Sequence, residues 1–247
     1  HGDHYFGLTG LLSTMNLLGR EKKLTIYGPK ELQDLVNPML QYGGARLGFS
    51  LEFIDLQMDT KTIIYEDDIV KVHSFPLVHK IPTCGFIIKE KQKPLKIDPR
   101  KIKEYGLKIE HFKALQNAQD IVLASGEKCK YQEVTLPAQK TLSYAYCSDT
   151  KKSLLVSKHV KGSSVLYHEA TFLLKDQKRA NATAHSTTKD AADVAIAAEA
   201  QKLVVGHISS RYKTNDQHLK ELREFFLNSA VAEDGMCIDL TKALSKP

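Results

Sequence analysis

Apolar residues fall first into a helical rhythm and then into short alternating runs. Over 5–19, Leu8, Leu11, Leu12, Met15 and Leu18 recur at helical spacing until Gly19 breaks the pattern. Residues 24–27 read as a short buried strand stopped by Gly28-Pro29. Pro29 suits the first turn of a helix to about Gln41, with Pro38 placed to kink it and Gly43-Gly44 ending it. Strands are predicted at 51–56, 62–65, 69–75, 84–89, 142–147, 165–167, 203–205 and 236–240. Thr187 and Asp190 have the spacing of a capping box ahead of an alanine-rich helix over 190–200. Asp216 is placed to cap a last helix whose Leu219, Leu222 and Phe226 share one side. Strands alternating with helices imply an α/β or α+β fold, with sheets covered by helices.

Composition narrows the class. The chain has 247 residues, 42% hydrophobic and 26% charged, enough to bury a substantial core in one domain. There is no apolar run of 18 residues, so no membrane-spanning helix is expected. Cys84, Cys129, Cys147 and Cys237 are far apart and form no C-x-x-C pair. They are expected as reduced thiols of a cytoplasmic protein. The net charge of +6 is compatible with a polyanionic partner. Lys89, Lys91, Lys93, Lys96, Arg100, Lys101 and Lys103 lie close together, with only Glu90 and Asp98 among them. That run reads either as a solvated loop or as a phosphate-contacting surface. Periodicity is weak over 104–140.

Candidate chemistry gathers beside predicted strands. His1-Gly2-Asp3-His4 packs two imidazoles and a carboxylate into four residues, a donor set suited to zinc and similar divalent ions. Asp149, His168-Glu169 and His207 each follow directly on a strand, where the sheet fixes a side chain and the loop exposes it. His79 follows another strand. Alternation within that strand marks His73 as structural. His111, His159 and His218 read as surface residues.

Together these motifs resemble the metallo-β-lactamase superfamily and, within it, the ribonuclease Z family. His1-Gly2-Asp3-His4 is similar to the end of H-x-H-x-D-H, and Gly7-Leu8-Thr9-Gly10-Leu11-Leu12 to the helix that follows it. His168-Glu169-Ala170-Thr171 and His185-Ser186-Thr187 match two further loops of the family. The motif's first histidine would lie two places before His1, so the family's opening strands are expected to be missing. The resemblance implies an αβ/βα four-layer sandwich spanning 1–247, with an RNA-binding arm inserted at about 89–140 that grips the tRNA elbow. It implies two zinc ions. One would be held by His1, His79, Asp149 and the preceding histidine, the other by Asp3, His4, Asp149 and His207.

The implied reaction is hydrolysis of an RNA phosphodiester, removing the 3′ trailer of precursor tRNA in the cytoplasm. Asp3 would orient the attacking water. His185 would protonate the leaving oxygen, Glu169 would orient His185, and His168 would be scaffold. Arg211, with Ser209, would meet the phosphate. The family is commonly homodimeric. Two other readings remain at this point: a phosphodiesterase of the same fold acting on small diesters, and a non-catalytic RNA-binding protein.

Overall fold

The computed structural model describes residues 1–241. In chain order its elements are α1 (Leu8–Leu17), β1 (Leu24–Gly28), α2 (Glu31–Tyr42), β2 (Leu51–Asp55), β3 (Thr62–Glu66), β4 (Val70–Pro76) and β5 (Cys84–Glu90). Next come α3 (Pro99–Glu104), α4 (Ile109–Gln116), β6 (Ile121–Val122), β7 (Lys128–Cys129) and α5 (Tyr131–Val134). The chain continues through β8 (Ser143–Cys147), α6 (Leu154–His159), β9 (Val165–Glu169), α7 (Gln177–Thr183), α8 (Thr188–Ala197), β10 (Lys202–Gly206), α9 (Asp216–Phe225) and β11 (Ser229–Val231).

The main sheet has seven strands in the order β11-β10-β9-β8-β5-β4-β3. Strands β8 to β11 are mutually parallel, and each successive pair is joined through a helix, as parallel pairing requires. Strand β5 runs antiparallel to β8, and β4 antiparallel to β5. Two reversals give β4 the same direction as β8. The loops after β4, β8, β9 and β10 therefore open at one edge of the sheet, and this places the site.

Period-two alternation divides the sheet's faces. Leu166, Leu203 and Val205 join Phe75, Ile87, Ala145 and the helices in the main core, while Val165 and Val204 turn to the other face. Helix α8 presents Ala191, Ala192, Val194 and Ala195 to the main core, all fully buried. Small side chains let it lie close to the strands. Its start is the predicted capping box: Thr187 accepts from the Asp190 amide, and Asp190 accepts from the Thr187 amide at 3.1 Å.

The second sheet comprises β1 and β2, paired in parallel with α2 between them in sequence. Leu12 of α1, Leu32, Val36 and Leu40 of α2, and Phe49 form its core. The spacing of Leu32, Val36 and Leu40 holds α2 against that core through Pro38, which lies inside the helix without ending it.

The stretch with weak periodicity is also folded. Leu107, Leu115, Cys129 and Val134 make a separate small core, with Ile97, Phe112 and Tyr131 packed against it. Asp98 caps α3 through the Arg100 amide at 3.0 Å. Elements of two to eight residues are too short to show a period, which is why the sequence reads as irregular here.

Two expectations are corrected. Residues 236–240 form no strand, since Ile238 and Leu240 satisfy their apolar character by packing on Val165 and Val204. The edge strand is β11 instead. His218 is fully buried, not on the surface, because its i+4 neighbour is the core residue Leu222. Tyr212 packs edge-on against its ring at 4.6 Å.

Candidate metal centre and acid–base pair

Asp149 lies two residues beyond β8, Glu169 ends β9, His207 follows β10 and His79 stands three residues beyond β4. All four belong to the single sheet edge defined above. His1, Asp3 and His4 are brought up to it by a 3-10 turn over Gly2–His4. Asp149, 2% exposed, is the hub. Its Oδ2 lies 3.4 Å from His1 Nδ1, 3.4 Å from His4 Nε2 and 4.0 Å from His79 Nε2, while Oδ1 lies 3.3 Å from His207 Nε2. Burial pushes the Asp149 carboxyl upward. His207, the Ser148 hydroxyl, His4 and His185 outweigh it and hold it below the usual carboxylate range.

The imidazoles are oriented from behind. His79 Nδ1–H donates to the Ala184 carbonyl at 2.8 Å, which turns Nε2 towards the cluster. That Nε2 is buried and has no hydrogen-bond partner among the described residues. A buried nitrogen lone pair held this way is costly unless an acceptor of electrons sits in front of it. His207 Nδ1–H donates to Thr171 Oγ1 at 2.9 Å, and Thr171 passes its own proton to Glu169 Oε2 at 2.6 Å. His207 Nε2 is thereby left free to face Asp149. His207 holds φ +57, a left-handed conformation that a non-glycine residue adopts at a cost of about 1–2 kcal/mol. The Asp149 carboxylate, ringed by His1, His4, His79 and His207, offers a donor set that could hold a metal ion. Asp3 completes a group with His1 and His4, its carboxylate 3.8 Å from His4 Nε2 and 67% exposed.

Beside this centre stands an acid–base pair. Glu169 has no exposed surface, and both of its oxygens lie 3.0 Å from His185 Nδ1. Its other donors are the Thr150 amide at 2.6 Å, the Ser186 amide at 3.0 Å and the Thr171 hydroxyl. Burial pushes Glu169 up, but the His185 and Thr171 hydrogen bonds prevail and its net shift is downward. With its lone pairs taken by four donors, Glu169 has little capacity left for a metal. His185 is raised, first by its hydrogen bond to Glu169 and against the effect of burial. Its ring stacks on His207 at 5.3 Å and lies 5.1 Å from His79, so its outer nitrogen borders the metal cluster. His168 is fully buried, with Nδ1 donating to the Glu169 carbonyl at 2.7 Å, consistent with scaffold.

Arg211 and Ser209 stand one ring further out. Arg211 Nε donates to Ser209 Oγ at 3.2 Å, and its guanidinium lies 6.0 Å from the Phe172 ring, which lies 6.4 Å from His185. The sequence offers no sign of the Ala184 carbonyl or the Thr150 and Ser186 amides. Backbone groups have no residue signature, and only the loop path aims them.

The chain is similar to known proteins over nearly its whole length. The chain is 38% identical over 240 residues to ribonuclease Z of Bacteroides thetaiotaomicron, covering 97% of this chain and 76% of that protein. It is 39% identical over 245 residues to ribonuclease Z of Cytophaga hutchinsonii, covering 99% and 78%. Among solved structures, the short form of human tRNase Z superposes with a TM-score of 0.63 at 23% identity, over 97% of this chain and 76% of that one. The metallo-β-lactamase fold protein YhfI of Bacillus subtilis superposes at 0.58 and 15% identity, over 96% and 73%. No protein-family model matches the chain. The fold is that of the metallo-β-lactamases, and on its sequence identity to curated relatives over nearly its whole length the chain belongs to the ribonuclease Z family.

Proposed function

We propose that this protein is a zinc-dependent endoribonuclease that hydrolyses a phosphodiester to remove the 3′ trailer from precursor tRNA. The observation that carries the reading is the Asp149 carboxylate, buried and shared among His1, His4, His79 and His207, with the His185–Glu169 pair at its side. His1, His79 and Asp149 would hold one zinc ion, and Asp3, His4, Asp149 and His207 the other. Zinc held there would supply the acidification of water towards neutrality and the neutralisation of charge on a phosphoryl group.

The chain's own residues supply the rest. Asp3, the most exposed of the donors, is free to orient the attacking water or accept its proton. Glu169 raises the His185 pKa, and His185 delivers a proton to the departing 3′ oxygen, which would otherwise leave as an alkoxide. Glu169 fixes the ring so that this proton sits on the outer nitrogen. Arg211, steadied by Ser209 and Phe172, is placed to meet a phosphate approaching from outside. The compact unit within 89–140, with its lysine-rich flank, is the counterpart of the family's RNA-gripping arm. A homodimer and a cytoplasmic location go with this reading. Among the described residues no helix is long and apolar enough to cross a membrane.

The test combines zinc analysis with cleavage of a 3′-extended precursor tRNA. About two zincs per chain and a single cut at the end of the acceptor stem are expected. Zinc binding with hydrolysis of a small diester but no tRNA cleavage would replace this reading with a small-molecule phosphodiesterase. Absence of bound metal would overturn both.

A further inference from the structure

The far end of β4 carries a second charged cluster that the metal centre does not use. In the β4–β5 register Lys71 lies opposite Lys89, His73 opposite Ile87 and Phe75 opposite Gly85. Directly opposed residues share a face, and Phe75 and Ile87 are in the main core. Lys71, His73 and Lys89 therefore continue that same face beyond the core's edge. Lys61 enters from the residue before β3 and donates to the His159 carbonyl at 3.2 Å, at the end of α6. The His159 ring stacks on Phe75 at 5.3 Å and closes the cluster from the helix side.

Glu66, Lys71, His73, Lys89, Lys91 and the 90–92 turn line a recess of about 510 Å³. Its charges do not balance. Glu66 is held by both Lys71 at 3.2 Å and Lys91 at 2.6 Å. Glu90 is turned to the Leu142 amide at 3.0 Å. Lys61 and Lys89 have no carboxylate partner among the described residues. At the floor, His73 Nδ1 is buried and has no hydrogen-bond partner among the described residues. Burial, then Lys61, Lys89 and Lys71 in turn, lower the pKa of the ring, and Glu66 opposes them. Lys61 is itself lowered by burial and by Lys89. Lys61 and Lys89, without a carboxylate partner among the described residues, gather positive charge beside an unsatisfied ring nitrogen.

We infer that this recess is a second, non-catalytic anion site that takes a phosphate group between Lys71 and Lys89, with His73 at its floor and the charge of Lys61 beside it. Lysine ammoniums are point charges that suit a tetrahedral oxyanion, and a neutral imidazole offers its N–H to one oxygen. The site is separate from the metal centre. His73 lies three residue steps inside β4, about 10 Å at roughly 3.3 Å per residue from its Pro76 end, and His79 stands in the loop beyond that end. It also borders the root of the 89–140 unit. The phosphate can come from the backbone of a bound RNA or from a free phosphate anion, and the two sources are distinguishable.

The experiment follows histidine ring resonances of the zinc-supplemented protein during titration with inorganic phosphate. It is paired with the salt dependence of KM for a 3′-extended precursor tRNA, in the wild type and in a Lys61→Gln/Lys89→Gln variant. Saturable movement of the His73 resonance, weakened about tenfold or more in the variant, is expected. A fall of about 1 to 2 in the slope of log KM against log salt in the variant, with kcat and small-diester hydrolysis unchanged, assigns the site to the RNA backbone. An unchanged slope, with the His73 response saturable in the wild type and weakened in the variant, assigns it to a free anion. Phosphate that moves only His79 and His207, leaving His73 still, overturns the proposal. The phosphate titration is independent of the endoribonuclease reading, on which only the RNA measurement rests.

Discussion

The Glu169 carboxylate receives His185 Nδ1 at 3.0 Å on each of its two oxygens, although the residues are 16 apart in sequence, one ending β9 and the other in the loop between α7 and α8. This pairing raises the His185 pKa above its ordinary value and sets His185 apart from the other imidazoles of the cluster. Replacing His185 by Ala should lower kcat about 10²–10⁴-fold. The zinc content should remain unchanged. Zinc analysis of the purified variant would expose His185 as a metal ligand if the metal were lost with the ring.

Glu169→Gln tests the same pair through pH. A proton donor whose folded pKa is raised stays charged to higher pH and is lost as pH climbs through that value. Without the carboxylate the loss comes earlier, so the alkaline limb of the kcat/KM profile should move to lower pH. The variant also leaves a buried donor facing an amide NH₂, which should cost about 1–3 kcal/mol of stability by urea unfolding.

In the metal-free protein the pair should also shape stability against pH. Glu169 is lowered on folding, so its contribution is present above the unfolded value of about 4.3 and fades as pH falls through the folded one. His185 is raised, so its contribution is complete below about 6.5 and fades as pH rises through its folded value. Thermal midpoints measured in chelator should therefore be highest between those limits. A flat profile across both limbs would contradict the assignment.

Thr171 bridges His207 to Glu169. Thr171→Val keeps the shape of the side chain but removes both hydrogen bonds, freeing His207 to rotate. Zinc affinity should fall about 10–100-fold in a competition titration. Removing zinc from the wild type should lower the thermal midpoint by about 5–10 °C relative to zinc at a hundredfold excess over its dissociation constant.

Ala195 is sealed between α8 and the sheet. Ala195→Leu should cost about 1–3 kcal/mol, because the close approach leaves no room for added methylenes. Urea unfolding would show the loss.

The sequence by itself determined the local features. The capping box at Thr187 follows from the identities and spacing of two side chains, and the β4 and β5 strands follow from short apolar runs with turn residues between them. The family motifs singled out His1, Asp3, His4, His79, Asp149, Glu169, His185 and His207 because each lies in a short recognisable word, and His79, Asp149, Glu169 and His207 also stand at or just beyond strand ends. Other features depended on which segments meet. The direction of β4 relative to β8 is set by two antiparallel pairings far apart in sequence, and it brings His79 to the edge that Asp149 and His207 share. The Ala184 carbonyl behind His79 and the amides around Glu169 are backbone groups common to every residue, so only the folded path of their loops aims them. His218 was misplaced because burial depends on the packing of α9 against its neighbours. The small core at Leu107, Leu115, Cys129 and Val134 was missed because its elements are shorter than the periods that reveal them. Local chemistry is written residue by residue, whereas the convergence of four strand ends on one carboxylate is a property of the sheet.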